Sequence, residues 1–348
     1  MTVNPDLTMD DLTPILFGAA AFQYLNAGCR LGLFELLEEH GNLTKKEIGE
    51  ALDLQDRATD ILLLGTTSLR LTMKSEGRYR NAHVISGMLR DGMWRIFSDV
   101  VDFEADIVYE GQADLVESLR KNTNAGLRRI PGQGRDLYHR LAENPELERV
   151  FYRYMCSWSK LGNSLLIDKV DFGTVTRVLD VGGGDGVNAV ALAEAYPRLR
   201  VEILEIPASA PIARQEIARR GLADRVTVTE CDFFEDAFPT ECDCVLFAHQ
   251  LVIWRPDENV ALLRRAYEAL PPGGRVVVFN SVSYDEGDGP VMAALDSVYF
   301  AAVPAEGGMI YCWQQYEDWL LESGFCNVER IPFDAWTPHG ALIATKQP

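Results

Sequence analysis

The chain has 348 residues, 47% of them hydrophobic, and a formal net charge of −19. That length suits two domains and a large core, while the acidic surplus argues against nucleic acid and anionic membranes, which recruit Lys and Arg. No apolar run reaches membrane-spanning length and no basic-then-apolar leader opens the chain; with seven cysteines in no framework spacing and five scattered histidines, a cytoplasmic protein with free thiols and no metal is expected.

In chain order, residues 1–13 are polar and read as a loose arm, and residues 14–39 as two helical patterns broken near Gly28 and Gly32. Thr44-Lys45-Lys46-Glu47 is a capping box that opens a helix through Leu52. Asp56 is expected to cap the next helix, whose leucines 62, 63, 64 and 69 form an apolar face. Leu71 to Met73, a turn at Glu76-Gly77 and Tyr79 to Asn81 read as a hairpin. Helix, helix, hairpin is a winged-helix order, which often binds DNA. Residues 56–70 contain only Arg57 and Arg70 as bases against Asp56 and Asp60, so a packing and dimerisation module is favoured over a DNA-binding sensor. Residues 90–165 are mostly helical and rich in aromatics. Asn144-Pro145-Glu146 starts a helix, with Pro at its first position, that carries Tyr152, Met155 and Trp158 towards the next domain.

Beyond a boundary at 168–175, Val178-Leu179-Asp180-Val181 reads as a buried parallel strand. It runs into Gly182-Gly183-Gly184-Asp185-Gly186, a tight turn before a helix from Asn188 to Tyr196. The spacing is Asp-x-Gly-x-Gly-x-Gly; Val187 stands where the third glycine of a dinucleotide fingerprint would fall. Val201 to Glu205 is the second strand, ending in an acid suited to ribose hydroxyls. Val226 to Thr229 is the third and leads to Asp232-Phe233, an acceptor for an exocyclic amine beside a flat apolar ring, which suits adenine. Further strands are expected at Cys244–Ala248, Arg275–Asn280, 328–331 and 340–346, with helices at 257–270, 292–302 and 313–323. Glycine loop, ribose acid and adenine acid in this order resemble the S-adenosylmethionine (SAM) methyltransferases of the doubly wound class.

Nearly the whole length is similar to the O-methyltransferase family of plant caffeate and bacterial natural-product type. The matching segments are Leu31-Gly32-Leu33-Phe34-Glu35-Leu36-Leu37 with Leu43-Thr44, Leu137-Tyr138 ahead of Asn144-Pro145-Glu146, Asp180 to Gly184, Leu270-Pro271-Pro272-Gly273-Gly274 and Glu322-Ser323-Gly324-Phe325. The resemblance implies an α/β chain. Its mainly α-helical winged-helix dimerisation domain spans 1–90, a helical roof 91–170, and a Rossmann-like SAM-binding domain 171–348. It implies a homodimer, SAM as cofactor with S-adenosylhomocysteine as product, and cofactor contacts at Asp180, Gly182, Gly184, Glu205, Ile206, Asp232, Phe233 and Met155.

The family's catalytic set does not carry over. Its His-Asp-Trp triplet falls on Val252-Ile253-Trp254, so Val252 stands at the general-base position; its lysine falls on Ala248, and its two glutamates on Asn280 and Ile310. A base contributes roughly 10²–10⁴-fold when a phenol attacks through oxygen, and valine supplies none. Three accounts follow: a replacement base at His249 or Asp296, attack through a ring carbon ortho to a phenol, or a repurposed member that binds SAM without moving its methyl. Carbon methylation of a small phenolic acceptor in secondary-metabolite (antibiotic) biosynthesis is favoured. A phenolic amino acid such as tyrosine or a hydroxykynurenine suits the candidate walls, Tyr152, Trp158, Val252, Trp254, Met292, Tyr299, Phe300 and Trp313.

Overall fold

The computed structural model describes residues 6–207 and 209–347. The chain forms two compact units that divide between Ala105 and Asp106. The stretch 91–170 is thus shared between them.

The first unit holds α1 (Met9–Leu16), α2 (Gly18–Arg30), α3 (Leu33–His40), β1 (Leu43–Thr44), α4 (Lys45–Ala51), α5 (Asp56–Ser68), β2 (Thr72–Ser75), β3 (Arg78–Asn81), α6 (His83–Asp91) and α7 (Met93–Phe103). The three strands form an antiparallel sheet in the order β1-β3-β2, completing a winged helix. Its core is Leu33, Leu37, Ile48, Leu62, Leu63 and Tyr79. Thr44 and Glu47 make the expected capping box: the Glu47 carboxylate accepts from the Thr44 N–H at 2.7 Å and the Thr44 hydroxyl from the Glu47 N–H at 3.3 Å.

Three local expectations are corrected. The arm is helical from Met9, because Thr8 and Asp11 form a second capping box; residues 1–5 lie outside the described residues. Gly28 does not break α2. It lies inside the helix because the Phe34 ring packs on it, and a Cβ there would stand 2.6 Å from that ring. The α5 cap is Gln55, with Asp56 as the first helical residue.

The second unit holds α8 (Tyr109–Gly111), α9 (Leu115–Lys121), α10 (Leu137–Ala142), α11 (Pro145–Lys169), β4 (Arg177–Val181), α12 (Val187–Ala195), β5 (Arg200–Glu205), α13 (Ala210–Arg220), β6 (Val226–Glu230), β7 (Cys244–Ala248), α14 (Pro256–Ala269), β8 (Arg275–Ser281), α15 (Val291–Ala302), α16 (Trp313–Glu322), β9 (Cys326–Pro332) and β10 (His339–Thr345). Seven strands form one sheet in the order β6-β5-β4-β7-β8-β10-β9, with only β10 antiparallel to its neighbours β8 and β9. Apolar clusters cover both faces, which is why β4, β7 and β8 are buried at nearly every position rather than at alternate ones. From β4 the chain winds outward to β5 and β6, then returns to β7 on the other side. The crevice beyond the carboxyl ends of β4 and β7 is therefore the topological switch point, where open α/β sheets take their ligands. Helix α11 lies close on the sheet: a Cβ on Gly162 would be 2.6 Å from the Phe279 ring of β8. The sequence reading passed over α13, the crossover that joining parallel β5 to β6 demands.

Candidate active site

One half of the site forms where β4 and β5 end. Gly182 adopts φ +70°, and the Gln250 side chain occupies the place a Cβ would take while donating to the Gly182 carbonyl at 2.9 Å. Gly184, at φ +58°, has open space where a side chain would be, so a ligand can lie against its backbone. The Glu205 carboxylate accepts from the N–H of Gly184 and that of Ile206, both at 2.8 Å. Burial raises its pKa to about 6 against those two bonds, and each oxygen keeps a lone pair for a further donor. Asp180 is fully buried and neither carboxylate oxygen has a hydrogen-bond partner. Burial, then the charges of Glu205 and Asp185, push it to about 7. An orphaned buried carboxylate is costly and suits a cationic group arriving with a ligand. Ile206 leaves 41% of its surface exposed beside Glu205.

At the next strand end, exposed Asp232 accepts from the N–H groups of Phe234 and Glu235 at 2.9 and 3.3 Å. Phe233 is 7% exposed and packs into the core beneath this turn, rather than lying open as a lid. Trp254 packs edge-on to Phe234 with centroids 5.1 Å apart, which places it beside the Asp232 turn. Tyr152 of α11 reaches Ser209, hydroxyl to hydroxyl, at 3.3 Å, and Met155 is half-buried on the same helix.

The other half is a chain of rings on the opposite side of β7. Tyr299 of α15 is hydrogen-bonded to Tyr138 of α10, and burial holds both phenols far above their ordinary pKa. Tyr154 also acts on Tyr299 electrostatically and packs on Trp158, at 5.7 Å. Trp158 packs on His339 at 5.2 Å, and His339 on His249 at 5.0 Å. Phe300 lies against Tyr299 at 5.0 Å, and Trp313 packs on Gly340, next to His339.

His249 sits at φ +59°, a strained left-handed conformation for a non-glycine residue. Its N–H continues the ladder to the Phe279 carbonyl at 2.8 Å. Its Nε2 is buried without a partner, and burial lowers its pKa to about 4. His339 is also held well below its ordinary value, by burial and by His249; its Nδ1 meets the Thr337 hydroxyl at 2.8 Å and its Nε2 is likewise unpartnered.

Val252 is 4% exposed. Its loop is sealed by Gly308, where a Cβ would stand 2.7 Å from the Val252 carbonyl, and by Tyr311, whose hydroxyl meets the carbonyls of Trp254 and Gly307 at 2.6 and 2.9 Å. Met292 and Asp296 share the inner face of α15 with Tyr299, and burial alone raises the Asp296 carboxyl to about 7. Sequence reasoning gives no site role to Gln250, Tyr138, Tyr311 or His339; Tyr138 figures there only as part of a matching segment. No group of three potential metal ligands occurs among the described residues, nor is any helix there long and apolar enough to cross a membrane.

Residues 112–326 match the O-methyltransferase domain and residues 14–91 the O-methyltransferase dimerisation domain. The chain is similar to the L-tyrosine C(3)-methyltransferase of Streptomyces lavendulae, with 58% identity over 347 residues, 99% of this chain and 95% of that protein. It is 30% identical over 335 residues to the 3-hydroxy-5-methyl-1-naphthoate 3-O-methyltransferase of Streptomyces sahachiroi, 96% of this chain and 94% of the other. The crystal structure of the S-adenosylmethionine-dependent methyltransferase SibL in its apo form matches with TM-score 0.89 at 52% identity, over 98% of this chain and 100% of that one.

Proposed function

Because the chain belongs to the O-methyltransferase family and is a SAM-dependent methyltransferase, we propose that it methylates a ring carbon beside the hydroxyl of a phenolic amino acid. The observation that carries this reading is the sealed loop after β7 with apolar, buried Val252 in it, the residue that the family resemblance aligns with the general base. The full-length likeness to a tyrosine C(3)-methyltransferase supports it.

The crevice at β4 and β7 fits SAM. Glu205 has lone pairs for ribose hydroxyls, Gly182 and Gly184 offer bare backbone, and Asp180 has a buried carboxylate with no partner. Asp232, with Phe233 beneath and Ile206 alongside, would hold the adenine, and Met155 would close over the cofactor. When bound, SAM supplies an electrophilic methyl on a sulfonium and leaves as S-adenosylhomocysteine. The chain's own part is positioning, which alone accounts for most of an in-line displacement. Tyr152, Trp158, Val252, Met292, Phe300 and Trp313 would set the ring's place, with Trp254 bounding the adenine side. Tyr138 and Tyr299, both held protonated, would hydrogen-bond to a phenol without removing its proton. The ortho carbon of the phenol is nucleophilic: its ring electrons form the new bond to the methyl as the C–S bond breaks onto sulfur, and the ring then regains aromaticity by losing that carbon's hydrogen as a proton to water.

Transfer to oxygen with His249 as base is a second reading, favoured by its unpartnered Nε2. SAM labelled with ¹³C in the methyl, offered with phenolic amino acids, separates the two by carbon NMR of the products. An aryl-methyl signal is expected, and a methoxy signal would refute carbon chemistry. We also assign a homodimer formed through the first unit, in line with its dimerisation-domain match. We further read the enzyme as acting in secondary-metabolite (antibiotic) biosynthesis in the cytoplasm, a reading supported by its likeness to a Streptomyces methyltransferase.

A further inference from the structure

Asp296 is the single charged residue of α15. Helical spacing puts Met292, Tyr299 and Phe300 on its face, four residues before and three and four after. The opposite face is open, with Val291 and Leu295 exposed by 74% and 66%. A carboxylate could have been placed in water there at no cost. Instead it is turned inward among aromatics, where burial alone raises its pKa and no Lys, Arg or hydrogen-bond donor is paired with it among the described residues. The group shown to feel its charge is a phenol, Tyr299, which in turn lies beside Tyr138 and Tyr154.

A carboxylate half-buried among aromatic rings without a partner is disfavoured in its charged form, and a neutral phenol restores little of that. A primary ammonium restores most of it, through a charge-assisted hydrogen bond to the carboxylate and attraction to the surrounding ring faces. With carbon as nucleophile, a strong base on this helix is not required. On the reading of α15 as an acceptor wall, we propose that Asp296 is the specificity-determining anchor for the acceptor's ammonium group. The enzyme takes phenols bearing a cationic nitrogen and discriminates against their deaminated counterparts.

Calorimetry on the protein loaded with S-adenosylhomocysteine tests this with three probes: L-tyrosine, tyramine and 3-(4-hydroxyphenyl)propionate. The two amines are expected to bind about 10–100-fold more tightly than the deaminated acid, the span of a charge-assisted hydrogen bond. Asp296→Asn should erase that gap while leaving the deaminated probe within about twofold, and Asp296→Glu should keep part of it. In turnover the loss should fall on KM, whereas loss of a base would fall on kcat and flatten the pH profile. Equal weakening of all three probes, indifference of the wild-type protein to the amine, or failure of both amines to bind it would overturn the anchor. The two proposals fail separately. A methoxy product with an amine gap that depends on Asp296 would sink carbon methylation and keep the anchor. An aryl-methyl product with an unchanged KM in Asp296→Asn would do the reverse.

Discussion

Glu205 occupies a position where a single side chain has two tasks. Its carboxylate already ties Gly184 and Ile206 together through their N–H groups, so it orders the turn that would receive the ribose as well as offering to bind it. Glu205→Ala is expected to weaken SAM binding by about 10–100-fold, the worth of hydrogen bonds to a charged group; calorimetry with unchanged affinity would remove the residue from the cofactor site. His249 makes a stability prediction. Its folded pKa of about 4 lies below the unfolded value of about 6.5. The unfolded chain therefore binds more protons between those limits, and this group's contribution falls as the pH drops through that window. Comparing His249→Asn, which tolerates the positive φ, with wild type should isolate the effect. The wild type should lose about 2 kcal/mol more than the variant between pH 8 and pH 5, measured by denaturant unfolding at each pH.

Helix α11 sets the height of the roof. Gly162 brings it within van der Waals reach of Phe279, which is fully buried. Gly162→Val would force the helix away, at a cost of about 1–3 kcal/mol for overpacking. It would also tilt Tyr152, Met155 and Trp158, so melting temperature and acceptor KM should worsen together. The small caps are separable from the site: Thr44→Ala should cost about 1 kcal/mol and leave methyl transfer at the wild-type rate. At this scale the sequence was legible where the chemistry is local. The strands β4 to β8 fell within a residue or two of expectation because each carries a short apolar or β-branched stretch, with Gly182, Glu205 and Glu230 marking the ends of β4, β5 and β6. Helix α13 escaped because its apolar residues are mostly small alanines interleaved with Arg, Gln and Glu, and only Ala210, Ala213 and Ile217 are buried. Asp180, Gly182, Gly184 and Glu205, which the structure gathers at one strand end, follow from one motif and the strand after it. The ring cluster of Tyr138, Tyr299, Tyr154, Trp158, His339 and His249 could not be read as a whole: Tyr154 and Trp158 are one helical turn apart on α11, but every other link joins elements distant in sequence, which no spacing rule relates. Trp254 shows the same limit: its side of the sheet is set by packing on Phe234, not by its neighbours in the chain.

For the whole molecule, the charge of −19 is an electrostatic statement about partners. A polyphosphate surface would be repelled, so random duplex DNA should not shift the protein in a gel at physiological salt, winged helix notwithstanding. Sedimentation should return twice the chain's 38.8 kDa, and deletion of residues 6–17, which include the exposed Met9, Ile15, Leu16 and Phe17, should move that mass towards the monomer.

The sheet order has a kinetic side. Strand β10 is made after both β8 and β9, yet it lies between them. Until it arrives, β8 presents an open edge and β9 has nothing to lean on, and the two could pair with each other in error. Such a pairing would have to come apart before the intended strand could thread into the gap. The segment carrying His339 thus closes the sheet last, and the slowest step on the way to an active enzyme is expected to be this insertion rather than the assembly of the glycine loop.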